Sequence, residues 1–153
     1  MVVERGFTSR RAYGAEFSIG VEADLVRAIN LPMQVDFMAV SSYRGTKSTG
    51  VVKIAKDLDR SIVGKDLLVV EDIVDTGLTL KYLLENLETR QPASTAVCSL
   101  LDKKAVRKEN VDVRFSGFDC PDAFVIGYGL DYDGVYRNLP YIGVLKPSVY
   151  QKE

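Results

Sequence analysis

Leu67-Leu-Val-Val-Glu-Asp-Ile-Val-Asp-Thr-Gly-Leu-Thr-Leu80 decides how this 153-residue chain is read. Leu67 to Val70 is a continuous apolar run, suited to a strand buried on both faces. It leads straight into two adjacent acids, Glu71 and Asp72, and a loop from Ile73 to Thr79. Leu80, Leu83, Leu84 and Leu87 then recur at helical spacing, which predicts an amphipathic helix over Leu78 to Leu87 that Thr89 to Pro92 ends. Thr95 to Leu101 reads as the next strand. Strand, helix, strand forms a right-handed crossover with parallel pairing, so the expected fold is α/β, a mostly parallel central sheet flanked by helices.

Working outward, Val21, Leu25, Ala28 and Ile29 form the stripe of a helix ending near Asn30. Met33 to Val40 reads as a strand feeding the polar loop Ser41 to Gly50, Val51 to Ile54 resumes extended character, and Lys56 to Gly64 is turn-like. Downstream, Lys103 to Asn110 is a charged connection, Val111 to Phe118 contains a short strand, and Phe124 to Tyr128 is another β-rich run. Without repeats or a Pro/Gly-rich linker, residues 1–153 read as a single domain.

Composition excludes several classes of function. Twenty basic against twenty-one acidic residues leave a formal charge of -1, so bulk charge provides no basis for holding nucleic acid or an anionic membrane. No run approaches the roughly 18 to 20 apolar residues of a membrane span. The chain has no histidine, and its two cysteines, Cys98 and Cys120, form no CxxC pair, which argues against structural zinc. Cys98 reads as a small buried hydrophobe. Reduced thiols and the lack of an apolar leader point to a cytoplasmic setting. Without histidine, proton transfer near neutral pH falls to carboxylates and lysines.

The acids and the turn after them are where chemistry concentrates. A helix N-terminus after a Gly-containing turn offers backbone N–H groups and a positive dipole end, which suit a phosphate. Thr76 and Thr79 add hydroxyl donors. Glu71 and Asp72, on opposite sides of an extended strand end, suit the vicinal hydroxyls of a ribose or a hydrated Mg²⁺, with Asp75 facing the bound group. Alternatively, Asp75 and the threonines merely cap the helix.

Val70 to Leu80, V-E-D-I-V-D-T-G-L-T-L, resembles the phosphoribosyl-diphosphate binding motif of type I phosphoribosyltransferases, two acids followed by D-[ST]-G-x-T. V-D-F-M-A-V-S-S-Y at 35–43, G-T-K-S-T-G at 45–50, L-L-D-K at 100–103, F-V-I-G-Y-G-L-D-Y at 124–132 and Y-R-N-L-P-Y-I-G-V-L-K-P at 136–147 narrow the resemblance to the hypoxanthine-guanine branch. It runs in order from about Ala23 to Tyr150.

The resemblance implies a Mg²⁺-dependent transfer of the 5-phosphoribosyl group from phosphoribosyl diphosphate to N9 of a 6-oxopurine. Glu71 and Asp72 would hold the ribose hydroxyls, and Asp75 would accept a proton near purine N7. Asp75, Thr76, Gly77, Leu78 and Thr79 would cradle the 5'-phosphate. Lys103 would address purine O6, Phe124 would stack on the base, and the Val125 backbone would read its edge. Asp131 would bind Mg²⁺ with the diphosphate, so that Glu71, Asp72 and Asp131 form the metal set. Arg137 would contact diphosphate, and Ser42 and Tyr43 would begin a closing loop. A homodimer or homotetramer is the implied assembly. Singly, each residue also has a plainer reading: Lys103 and Lys104 as a solvated pair, Phe124 as core, Asp131 and Arg137 as a surface ion pair.

The resemblance stops at the N-terminal side. The family's hydrophobic strand and short L-K-G-like diphosphate loop have no counterpart in Met1 to Gly20, where only Gly14-Ala15 echoes them. The expectation is a missing first strand, an exposed sheet edge and a lost wall of the diphosphate site. A catalytically impaired nucleotide-binding paralogue or a truncated fragment is therefore the alternative reading.

Overall fold

In the computed structural model, which describes residues 2–5, 19–42 and 52–150, a five-stranded sheet organises the chain. Its strands are β1 (Val2–Arg5), β2 (Val35–Asp36), β5 (Asp66–Val74), β6 (Ser94–Asp102) and β7 (Phe115–Asp119), in the order β2-β1-β5-β6-β7. β5, β6 and β7 pair in parallel, whereas β1 runs antiparallel to both β5 and β2. Four of the five strands thus point the same way, as a mostly parallel α/β sheet requires. Two antiparallel ribbons, β3 (Ala39–Ser42) with β4 (Val52–Lys56) and β8 (Val125–Ile126) with β9 (Gly143–Val144), stand apart from it.

Side chains alternate across β5 and give the sheet two apolar faces. Leu67 and Val69 pack with Leu80, Leu83 and Leu87 of helix α2 (Leu78–Glu88). Val70, from the opposite face, meets Val21 of helix α1 (Ile19–Ala28), with Leu25, Val26 and Leu68 around them. A third cluster of Leu101, Cys120 and Leu130, supported by Ile73, Val125 and Ile142, lies at the C-terminal ends of β5 and β6. The last of the described residues form a short helix, α3 (Pro147–Tyr150).

Several boundaries differ from the sequence reading. The edge expected to be bare is occupied: β1 lies along β5 from Val2 opposite Val69 to Arg5 opposite Asp66, running against it. Four residues are too few for a periodic signal, yet a buried strand needs partners for its backbone N–H and C=O groups, and this short segment supplies them. β5 extends through Glu71 and Asp72 to Val74, so the two acids belong to the strand and the loop begins at Asp75. Met33 to Val40 divides into β2 and β3 around Phe37-Met38. The Gly14-Ala15 echo and Tyr43 lie outside the described residues.

Between β8 and β9 the chain makes tight turns. Gly127, Tyr128, Gly129, Asp133, Gly134 and Tyr136 all have positive φ, a concentration of the kind that persists only where surrounding structure enforces it. Gly127 has φ 91°, and a Cβ there would lie 2.0 Å from the Tyr141 carbonyl oxygen, whereas a Cβ at Gly134, φ 78°, would meet nothing within 4 Å. Gly134→Ala should therefore destabilise by only about 1 kcal/mol, the left-handed backbone penalty. Gly127→Ala should lose more than about 3 kcal/mol or fail to fold, because the opposing atom is backbone and must move. Urea unfolding of the two variants checks this, and equal losses would contradict it.

Candidate active site

The parallel register brings Val74 of β5 opposite Asp102 of β6. The residues following each strand therefore emerge side by side, at the C-terminal edge where open α/β sheets bind ligands. A cleft of 310 Å³ opens there. β5 and its loop contribute Glu71, Asp72 and Asp75, the end of β6 contributes Lys103, and the β8 region contributes Phe124, Val125, Asp131 and Arg137. A smaller cavity of 100 Å³ continues past Asp75 to Gly77 and Thr79, with Val40 of β3 on its far side. Thr76 and Leu78 lie in the same turn but line neither space. Ser42 is the last residue of β3.

Glycine is required at the turn. Gly77 is the N-cap of α2 with φ 79°, and a Cβ there would meet Arg107 Cδ and the Glu109 carbonyl oxygen at 3.1 Å each. No side chain caps this helix. The Asp75 carboxylate instead accepts from the Thr76 backbone N–H and, at 3.3 Å, from the Thr76 hydroxyl. Plain capping by Asp75 or the threonines therefore does not account for the motif, and the positive end of α2 opens toward the smaller cavity.

Burial raises the proton affinity of the acids. Desolvation pushes the Glu71 carboxyl up to about 7, aided by the nearby charges of Asp72 and Glu22. It also raises Asp72, although the Ile73 N–H donated to Asp72 Oδ1 at 2.7 Å and the Arg137 charge pull the other way. Glu22, buried in the first turn of α1, is raised for the same desolvation reason. Three acids therefore gather around one end of the sheet with their negative charge poorly solvated, a place where a cation or hydroxyl donors would be stabilised.

Lys103 and the residues on the β8 side of the cleft are held in defined positions. Lys103 donates its backbone N–H to the Val74 carbonyl at 2.9 Å and its ammonium to the Ala123 carbonyl at 2.6 Å. It is therefore anchored at the cleft, not a solvated twin of Lys104, which pairs with Asp119 at 2.5 Å. Phe124 is partly exposed to the cleft and packs edge-on against Tyr132, with ring centroids 5.5 Å apart, and at 5.3 Å against Tyr150 of α3. Arg137 pairs with Asp131 at 2.7 Å and donates to the Gly129 carbonyl at 2.7 Å. The Gly134 N–H donates to the other Asp131 oxygen, also at 2.7 Å.

Among the described residues, no group of three or more acids and cysteines converges as a metal cage. Glu71, Asp72 and Asp131 thus do not form a protein-only metal site. They are nevertheless hard oxygen donors lining one cleft, which fits Mg²⁺ held jointly with substrate phosphates. Sequence reasoning passed over Leu130 and Ile73, which line the cleft, and the aromatic supports Tyr132 and Tyr150. It also passed over Arg107, which sat in a stretch read only as a charged connection. Helical or strand periodicity carries no signal for such tertiary contacts.

Comparison with known proteins agrees with this architecture. The phosphoribosyl transferase domain family matches residues 18–133. The hypoxanthine-guanine phosphoribosyltransferase of Mycobacterium avium is 61% identical over 130 residues, which cover 84% of this chain and 64% of that protein. The chain therefore spans slightly less than two thirds of that relative's length. A crystal structure of hypoxanthine phosphoribosyltransferase from Staphylococcus aureus superposes with a TM-score of 0.89 at 46% identity, covering 97% of this chain and 81% of that one. The Trypanosoma cruzi hypoxanthine phosphoribosyltransferase in complex with the product IMP gives a TM-score of 0.85 at 43% identity, covering 95% and 80% respectively. The family match, the sequence identities and the superpositions agree, and the chain belongs to the phosphoribosyl transferase family, in its hypoxanthine-guanine branch, with the type I fold.

Proposed function

We propose that this chain acts in purine salvage, transferring the 5-phosphoribosyl group from phosphoribosyl diphosphate to hypoxanthine or guanine to give IMP or GMP and diphosphate. The observation that carries the reading is the 310 Å³ cleft, which collects acids, a lysine and an exposed aromatic ring from three separate segments beside a helix N-terminus without a side-chain cap. In this reading the 5'-phosphate rests on the Gly77, Leu78 and Thr79 turn with the Thr76 and Thr79 hydroxyls, and Glu71 and Asp72 accept from the ribose hydroxyls. The base lies on Phe124 with its edge at the Val125 backbone. Lys103 exchanges the Ala123 carbonyl for purine O6, an acceptor in 6-oxopurines that adenine replaces with a donor.

The purine N9 attacks C1' as the bond from C1' to the diphosphate oxygen breaks, and Asp75 takes the proton from N7. Catalysis comes mainly from fixed charges around a loose, oxocarbenium-like centre. Mg²⁺, when bound with the substrate, supplies neutralisation of the diphosphate charge, with Glu71, Asp72 and Asp131 as the protein oxygens nearest to hand. Arg137 turns from Asp131 to the leaving diphosphate, and the segment beginning at Ser42 and Tyr43 closes over the site to exclude water. By family likeness we place the protein in the cytoplasm as a homodimer or homotetramer. No described helix is long and apolar enough to cross a membrane.

Steady-state turnover of the purified chain with phosphoribosyl diphosphate, Mg²⁺ and hypoxanthine or guanine tests the reading. Asp75→Asn should lower kcat by about 10²- to 10⁴-fold, the usual contribution of a positioned base. No turnover by the unsubstituted chain, with IMP still bound, would leave a binding-only relative. Lys103→Met should lower kcat/KM for hypoxanthine by at least about tenfold while changing the poor reaction with adenine little. Retained discrimination would remove Lys103 from base selection.

Stability should respond to pH through Glu71. Its carboxyl is held at about 7 in the folded chain against an ordinary 4.5, so between those values the folded state keeps a proton that the unfolded state has released. The raised Asp72 and Glu22 act in the same direction. The ligand-free chain should therefore lose stability as pH rises from about 5 to 7.5. Denaturant unfolding across that range should show the loss, with a flatter profile for Glu71→Gln; a flat profile for the parent chain would show that Glu71 titrates normally.

A further inference from the structure

Arg107 has no role in the reaction described above, yet its side chain grips the turn that carries it at Val74, Asp75 and Gly77. Its guanidinium is mostly buried and pairs with the buried Asp102 carboxylate at the end of β6. Nε donates to the Asp75 carbonyl at 3.0 Å, Nη2 to the Val74 carbonyl at 3.4 Å, and Nη1 to the Val111 carbonyl at 3.4 Å. Its aliphatic stem occupies the space that a side chain at position 77 would need, with Cδ 3.1 Å from where a Cβ would sit. The next two residues continue the grip, the Lys108 and Glu109 N–H groups both donating to the Thr76 carbonyl at 2.9 and 3.0 Å.

A trans peptide bond points its carbonyl and the following N–H in opposite directions. The carbonyls of Val74, Asp75 and Thr76 all face the 107–109 segment, so the N–H groups of Asp75, Thr76 and Gly77 are turned to the other side. One of these, Thr76 N–H, holds the Asp75 carboxylate, and the turn ends at the uncapped start of α2. We propose that Arg107 is a positioning residue: tied to Asp102, it fixes the peptide planes of the turn so that the amides running from Gly77 into the start of α2 face the phosphate and Asp75 is held at the purine.

The inference rests on the proposed function, because it assigns these amides to a nucleotide phosphate. Its physical content is that one guanidinium spans two consecutive carbonyls while neutralising a buried acid. A forked, planar donor set can do this and a single ammonium cannot. Displacing catalytic groups by about an ångström can lower rate by about a hundredfold without removing any of them.

The test measures IMP and inosine affinity by calorimetry in four proteins: the parent chain, Arg107→Met, Arg107→Lys and Lys81→Met. Arg107→Met keeps the stem but removes the donors. Arg107→Lys keeps the charge beside Asp102 and guards against Arg107→Met failing to fold. Lys81→Met breaks only an exposed ion pair to Glu109 of the same segment, 2.6 Å long. IMP affinity should fall at least about tenfold in both Arg107 variants, as expected for losing oriented hydrogen bonds to a charged group, while inosine affinity and both Lys81→Met affinities stay at parent values. In turnover, kcat should fall and KM for phosphoribosyl diphosphate rise while KM for hypoxanthine holds. Unchanged IMP-to-inosine affinity ratios, or parallel loss of both ligands, in a folded Arg107 variant would overturn the proposal. If the parent chain binds neither IMP nor inosine, the underlying functional reading fails first and takes this inference with it.

Discussion

The parallel pairing of β5 with β6, in the register that sets Val74 against Asp102, places almost everything else. Parallel strands end at the same edge of a sheet, so the chain leaving β5 at Asp75 and the chain leaving β6 at Lys103 emerge as neighbours. The crossover between them is α2, whose leucine stripe covers the Leu67 and Val69 face, and the start of that helix lies beside the ends of both strands. A one-residue slip would exchange the two faces of β5, turning Leu67 and Val69 away from α2 and Glu71 and Asp72 to the wrong sides. Apolar packing on both faces thus enforces the geometry of the polar site, and Ile73, Leu130, Val74 and Leu80 of those clusters reach its walls.

The site itself is a place of unfavourable charge. Asp72 and Glu22 are buried, and desolvation of Glu71, aided by the charges of those two acids, pushes its carboxyl up to about 7. Burying carboxylates opposes folding unless something compensates. In the ligand-free chain the compensation is partial: the Ile73 N–H and the Arg137 charge for Asp72. A ribose donating hydroxyls, or a cation arriving with phosphates, would complete it, so the arrangement is suited to a ligand as much as to the apo fold. Positive-φ residues around 127–136 flank Leu130 and Asp131 on the other side of the cleft, where the Tyr128 and Gly129 N–H groups donate to the Leu139 and Arg137 carbonyls and hold the turns in place.

Much of this was legible in the amino-acid order, and the rest was hidden for identifiable reasons. The α2 stripe, the β5 and β6 runs and the acids before a Gly turn are local patterns, and they led to the correct layers and to Glu71, Asp72 and Asp75, whereas Lys103, Asp131 and Arg137, which line the same cleft, were pointed to only by the family resemblance. The end of β5 was read short because Glu71 and Asp72 resemble strand terminators, whereas in the fold they are tolerated inside the strand by facing a cleft. β1 was invisible because its placement comes from the hydrogen-bonding needs of β5, not from its own four residues. Arg107 was lost in a run of charges: nothing in K-A-V-R-K-E-N after Lys103 distinguishes the cation that turns inward to Asp102 from the exposed Lys104 and Lys108, because the distinction is made by the loop from β5 that it meets.

The most direct test of the account is a crystal structure of this chain grown with IMP. The account predicts the phosphate on the amides of Gly77 to Thr79 at hydrogen-bond distance, about 3 Å, the base on Phe124, and the Lys103 ammonium moved from the Ala123 carbonyl to purine O6. IMP bound elsewhere, or bound in the cleft with its phosphate away from the start of α2, would contradict it.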